Sequence, residues 1–217
     1  MNLTTTEKYA LAVLEVYGKL NALQKKERAL CLAASCVWDM VQAKSVTADK
    51  KGKLRVSAPL PETLSYCTSV YERLAKKPMT PEKAAFDHIW TNKRIKTLVK
   101  NITDDLIGKS VLVVEQQSSL SKSKLCHVDT TMITKDIAVV KHMDNTAAPD
   151  QTNLAVLLLE SGTAKKLLSK QDLSALKKAV KQTGGDFRTY VKKVKKMFQA
   201  VRTLLLTCVA SSASSSR

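Results

Sequence analysis

Apolar positions recur along most of this chain at intervals of three and four, the period of helices with one buried face, but one segment departs from that pattern. Leu154, Ala155, Val156, Leu157, Leu158 and Leu159 form an unbroken apolar run. A helix apolar on all sides belongs in the interior of a domain or in a membrane. Six residues fall far short of the about 20 needed to cross a bilayer, so the interior is the expected setting. Asp150 after Pro149, and Gly162 beyond the last turn, are cap residues that favour a helix over a buried strand. A buried helix from Pro149 to Gly162 is therefore expected at the centre of the fold.

The rest of the pattern surrounds it. Thr4-Thr5-Thr6-Glu7 has capping-box spacing and predicts a helix to about Tyr17, ended by Gly18. Leu30, Ala33, Ala34, Val37, Trp38 and Val41 mark the inner face of a second helix from about Lys25 to Lys44. Val46–Ala48 and Leu54–Val56 flank Asp49-Lys50-Lys51-Gly52-Lys53 as a small hairpin. Pro61 suits the first position of a helix that Lys76-Lys77-Pro78 breaks. Thr80-Pro81 restarts a short helix carrying Phe86, Ile89 and Trp90.

Asn92 to Gly108 reads as a strongly amphipathic helix. Ile95, Leu98, Val99, Ile102 and Leu106 form its apolar stripe, and Lys93, Arg94, Lys96 and Lys100 crowd its N-terminal half. A strand over 110–114, a polar run 116–124 and a return strand from about Leu125 to Ile133 make a second hairpin. A helix near 137–143, the loop 144–148, and a turn at 163–168 follow. Ser169-Lys170-Gln171-Asp172 caps the next helix, Gly184-Gly185 ends it, and Asp186 caps a last one through Phe187, Tyr190, Val191, Val194, Met197, Phe198, Val201 and Leu204. The expected fold class is mainly α: a single globular helical domain, 1–209, with a buried central helix and two peripheral β-hairpins. Residues 210–217 are expected to be a disordered Ser-rich tail.

Charge changes the picture more than composition does. The formal net charge is +17, from 36 Lys and Arg against 19 Asp and Glu. Such a surplus implies an anionic partner: a membrane leaflet, a nucleic acid or an acidic protein. Between Thr163 and Arg202, twelve Lys or Arg stand against Asp172 and Asp186. Lysine outnumbers arginine, which favours diffuse attraction over bidentate phosphate recognition. The five cysteines, Cys31, Cys36, Cys67, Cys126 and Cys208, form no CxxC pair and read as reduced, buried residues of a cytosolic protein. Neither a signal peptide nor a transmembrane helix is expected, so membrane association would be peripheral.

Enzyme chemistry finds no footing in the pattern. His88, His127 and His142 lie far apart, and Cys126-His127 would point to opposite faces of a strand. No phosphate-cradling glycine loop, nucleophile elbow or evident pair of catalytic acids occurs. No enzyme activity, metal or cofactor is expected.

The order of elements resembles the Golgi phosphoprotein 3 family, which also has many bacterial members. Leu3-Thr4-Thr5-Thr6-Glu7 resembles its opening Leu-Thr-x-x-Glu, and Asp49-Lys50-Lys51-Gly52-Lys53-Leu54 its first hairpin turn. Leu106-Ile107-Gly108-Lys109-Ser110-Val111-Leu112 resembles its Leu-Val-Glu-x-Gly-Val-Leu. The best match is Pro149-Asp150-Gln151-Thr152 with 154–162, followed by Leu167-Leu168 and the basic helix. Together these cover about Leu3 to Val201.

The resemblance implies a mostly helical, cytoplasmic protein, peripheral on membranes (the Golgi, in a eukaryote), that binds phosphatidylinositol 4-phosphate. In Golgi members it also implies recruitment of glycosyltransferase tails and coat proteins for retrograde vesicle trafficking. This chain has no counterpart of the arginine-rich arm of those members, so coat binding is not carried over. The family pocket uses a tryptophan and three arginines, whose positions fall here on Gln24, Ala33, Lys96 and Val99; only Lys96 keeps a charge. Lys25, Lys26, Arg28, Lys93 and Arg94 lie near in sequence as substitute headgroup ligands. The hairpin 111–133 matches a segment linked to self-association, so a homo-oligomer is an expected state. Two readings from other classes compete with the lipid-binding one. Helix 92–108 followed by a hairpin also fits the recognition helix and wing of a nucleic-acid-binding winged helix, and a ligand-free interaction scaffold fits the same pattern.

Overall fold

The first helix sets the scene, because ten consecutive residues of it are enclosed. The computed structural model describes residues 2–115, 125–141, 148–183, 185–197 and 199. Helix α1 (Thr5–Tyr17) opens on the full capping box: Thr4 Oγ1 accepts from the Glu7 N–H at 3.3 Å, and Glu7 accepts from the Thr4 N–H at 2.7 Å. Gly18 closes it in left-handed backbone at φ 61°, donating to the Leu14 carbonyl at 2.7 Å. Everything from Thr5 to Leu14 is buried.

A 3₁₀ turn (Leu20–Ala22) leads to α2 (Lys26–Gln42), whose stretch from Ala29 to Val37 is enclosed. Strands β1 (Val46–Ala48) and β2 (Leu54–Val56) pair antiparallel with Val46 opposite Val56, as the pattern predicts. Pro61 does not begin a regular helix. It caps a 3₁₀ segment (Glu62–Cys67), kinked at Leu64, before α3 (Thr68–Lys76) takes over. Thr80 caps α4 (Pro81–Asp87), which ends short of Ile89 and Trp90. Ile89 turns inward and Trp90 outward.

Thr91 caps α5 (Asn92–Gly108), and all five residues of its apolar stripe are buried. Strands β3 (Leu112–Glu115) and β4 (Leu125–Val128) pair antiparallel, Leu112 opposite Val128. Cys126 is buried and His127 exposed, on opposite faces as alternation requires. The return strand is shorter than expected, because Thr131 begins α6 (Thr131–Lys141) and Ile133 belongs to that helix, buried. The polar run 116–124 and residues 142–147 lie outside the described residues.

Helix α7 (Pro149–Glu160) carries the apolar run. Leu154 to Leu158 are wholly enclosed, Leu159 is half-buried, and Gly162 follows at φ 75°. The expected Asp150 cap is absent. Ala148 holds the cap position, Gln151 Oε1 accepts from its N–H at 3.0 Å, and the Asp150 carboxylate is drawn away to Lys8 at 2.8 Å. The expected turn after it contains a short helix, α8 (Ala164–Leu167). Ser169 Oγ accepts from the Asp172 N–H at 3.1 Å to start α9 (Lys170–Thr183), and α10 runs over 185–197. Asp186 sits inside the first turn of α10 rather than before it. Phe187, Tyr190, Val191 and Val194 are buried, and Trp38 is half-buried with its ring edge-on to Phe187 at 4.8 Å. Gly184, Phe198, residues 201–217 and Cys208 among them lie outside the described residues.

The architecture is mainly α, a helical domain with α1 and α7 packed together at its centre and two small hairpins at its periphery. Cys31, Cys36, Cys67 and Cys126 are all buried, and burial pushes the Cys31 thiol up to about 12. Replacing a wholly buried leucine deletes transfer free energy and leaves a cavity. Leu157→Ala is expected to lower the unfolding free energy by about 2–5 kcal/mol, and half-buried Leu159→Ala by roughly half as much, as urea titrations of both variants would measure.

Candidate functional site

The outer stripe of α5 is the feature from which a site can be built. Lys93, Lys96, Lys100, Asp104 and Ile107 recur at three- and four-residue steps, opposite the buried stripe, and all five are exposed. Beside this stripe lies a cavity of ≈ 540 Å³. One wall is α5, through Lys96, Val99, Lys100 and Thr103; the other is the α1–α2 connection, through Leu20 and Gln24, with Val114 of β3 closing the end.

That second wall follows from local chain geometry. Gly18 reverses the chain, and the next residue, Lys19, makes an antiparallel bridge with Leu125. The Cys126 N–H donates to the Gly18 carbonyl at 3.1 Å. These contacts dock the β3–β4 hairpin beside the connection and bring Val114 to the cavity.

The pocket-aligned positions and the candidate headgroup ligands read from the sequence divide into three groups. Gln24, Lys96 and Val99 meet at this cavity, whereas Ala33 is wholly buried in α2 and does not line it. Lys25, Lys26 and Lys93 are exposed. Arg28 and Arg94 are engaged elsewhere within the protein. The Arg28 guanidinium stacks on Tyr17, 3.7 Å from the ring centroid, and donates to the Ala22 carbonyl at 2.9 Å. Arg94 donates to the Asp87 carbonyl at 2.8 Å and pairs with its Oδ1 at 2.9 Å, pointing away from the Lys96 stripe.

Lys100 lines the cavity although sequence reasoning left it out of the site. Its signal was the four-residue step from Lys96, which places both ammonium groups on one face. Lys100 pairs with Asp104, with both side chains more than half exposed. An exposed pair of this kind contributes about 0–1 kcal/mol, so an anion entering the cavity meets little competition for Lys100. Lys96 has no acidic partner among the described residues. The cavity thus joins two lysines, Lys96 and Lys100, and one carboxylate, Asp104, to the apolar side chains of Leu20, Val99, Ile107 and Val114.

Two other cavities are electrically different. One, ≈ 900 Å³, lies between the starts of α1, α7 and α10, and its charged lining is Asp39, Asp150 and Asp186. Burial pushes the Asp39 carboxyl up, and hydrogen bonds from Thr6 and Tyr66 pull it part of the way back. A lining whose charged groups are all carboxylates disfavours an anion. The third, ≈ 290 Å³, is a mainly apolar groove beside Trp38 and Tyr190. No helix among the described residues is long and apolar enough to cross a membrane. Compared with models of known protein families the chain matches none, and no curated protein matches it.

Asp87 fixes the corner from which α5 departs. It receives Arg73 from α3 and Arg94 from α5, and although burial raises its carboxyl, these cations hold it below the usual carboxylate range. A depressed native value means stability that is present above the ordinary carboxylate range and is lost as pH falls through the native value. Asp87→Asn is expected to cost about 1 kcal/mol at neutral pH. The gap between variant and wild type should close below about pH 4 when thermal midpoints are compared across pH.

Proposed function

We propose that this chain is a peripheral membrane protein of the Golgi phosphoprotein 3 type, which binds anionic lipid headgroups through the outer face of α5 and the cavity beside it. Phosphatidylinositol 4-phosphate is the ligand the reading favours. The observation that carries it is a coincidence of position: Gln24, Lys96 and Val99, three of the four places where the family resemblance puts its headgroup pocket, line one cavity whose charged side chains, Lys96, Lys100 and Asp104, are net positive.

The chemistry supports a surface reader more than a shaped lock. Lys96 and Lys100 are point charges that attract phosphate without the two-pronged geometry of arginine. Each Lys near an anionic leaflet contributes on the order of 1 kcal/mol, so Lys93, Lys96 and Lys100 together suffice for reversible recruitment. The exposed large hydrophobic residues among the described ones, Trp90, Ile107 and Val113, all belong to α5, its entry turn or the strand that follows it. Among its described residues the lysine-rich segment 163–202 has charge but no such apolar companions, which is why α5 is the favoured membrane face. Retention or trafficking of other membrane proteins, and self-association through 111–133, belong to the same reading.

Vesicle sedimentation tests it. The wild-type protein is expected to pellet with vesicles containing phosphatidylinositol 4-phosphate, to be released by salt, and to ignore neutral vesicles. Lys96→Glu with Lys100→Glu should weaken binding at least tenfold. Equal recovery on neutral and anionic vesicles would overturn the proposal. Displacement from the vesicles by an equal charge of duplex DNA, with tight DNA binding at low salt, would favour the winged-helix reading instead.

A further inference from the structure

Trp90 is 51% exposed although the residues before it, His88 and Ile89, are buried. Its position is fixed on both sides. The His88 ring lies 3.0 Å from the Ala84 carbonyl and 3.1 Å from that of Ser69, tying the end of α4 to α3. On the other side Thr91 caps α5 by accepting from the Arg94 N–H, and Arg94 is clamped to Asp87. The Trp90 ring rests on half-buried Phe86, with centroids 5.5 Å apart. An aromatic pair is thus held at a corner and left facing water.

The surroundings select the partner. Lys93 follows one turn later, then Lys96 and Lys100 on the same stripe, and exposed Ile107 stands at the far end. The helix is 17 residues long, so this band, apolar at both ends with three lysines and the single carboxylate Asp104 between, extends about 25 Å. Lysine is depleted from protein–protein contacts, which argues against a protein on this face. A tryptophan beside lysines suits the boundary between headgroups and acyl chains, where the ring is apolar, its N–H stays wet and the ammonium groups meet anionic lipids.

We infer that Trp90 is an interfacial anchor, inserting its indole at the headgroup–acyl boundary of an anionic leaflet while Lys93, Lys96 and Lys100 hold the headgroups. This rests on the membrane reading above and adds a depth and an orientation to it, with α5 lying along the surface.

The experiment uses the full chain and vesicles of phosphatidylcholine with phosphatidylserine and phosphatidylinositol 4-phosphate, made with and without brominated acyl chains. Trp38 also fluoresces, so the informative signal is the difference between wild type and Trp90→Phe. Brominated vesicles are expected to quench the wild type and leave Trp90→Phe nearly unquenched. Trp90→Ala should weaken partitioning about tenfold, equivalent to about 1.4 kcal/mol, with the far-ultraviolet dichroism and thermal midpoint of wild type. Binding with no difference in quenching overturns the anchor and leaves electrostatic recruitment standing. No binding to these anionic vesicles overturns both.

Discussion

Four polar side chains at the start of α1, Thr5, Thr6, Glu7 and Lys8, are buried in the core, and the matching of that turn organises the molecule. Buried polar groups are costly unless they are paired. Asp39 of α2 accepts from the Thr6 hydroxyl at 2.6 Å, from its N–H at 3.1 Å, and from Tyr66 of the 3₁₀ segment at 3.1 Å. Glu7 pairs with Lys109, which also binds Asp105 at 2.8 Å at the end of α5. Burial and the neighbouring Asp105 push the Glu7 carboxyl up, and Lys109 and the helix cap pull it only part of the way back. Lys8 reaches Asp136 of α6 at 3.2 Å and Asp150 of α7 at 2.8 Å. One helical turn thereby holds five other segments in register. Removing one partner of such a set leaves a charge uncompensated, which costs about 3–5 kcal/mol.

The same matching decides which side of α5 faces water. Lys109 anchors the end of the helix to α1, and Asp87 anchors the beginning through Arg94. Between these ties the apolar stripe packs inward, so Lys93, Lys96 and Lys100 face out. Lysines near a helix N-terminus oppose the macrodipole, a cost of about 0.3–1 kcal/mol each at the surface. Arg94 offsets its share against Asp87. Lys93 and Lys96 have no acidic partner among the described residues, and a bound phosphate would compensate both.

Most elements were legible because their caps and periods are local. Thr4 with Glu7, Gly18, Thr80-Pro81 and the stripe of α5 each state a boundary within a few residues, and the helices begin or end there. The misreadings involve competition from afar. Asp150 has the chemistry of a cap, but Lys8, remote in sequence, takes its carboxylate. Trp90 continues the apolar rhythm of α4, yet the helix stops at Asp87 and the ring turns out. Arg28 and Arg94 read as free cations because neither Tyr17 nor Asp87 announces itself as their partner in a linear pattern. The cavity was half legible: its α5 wall follows from periodicity, whereas the opposing wall depends on the Lys19–Leu125 bridge, a contact between distant segments.

The claim that α5 is the membrane face can be tested directly by its orientation. Spin labels introduced singly at Lys93, Lys100 and Ile107, and at Lys178 on α9 as a reference, would report depth through collision with oxygen and with a water-soluble nickel complex. The buried thiols Cys31, Cys36, Cys67 and Cys126 leave the engineered sites as the reactive ones once Cys208 is replaced by serine. On anionic vesicles the three α5 labels should gain oxygen collisions and lose nickel collisions, while the label at 178 stays aqueous. The opposite pattern, with 178 shielded and the α5 labels still in water, would contradict the account.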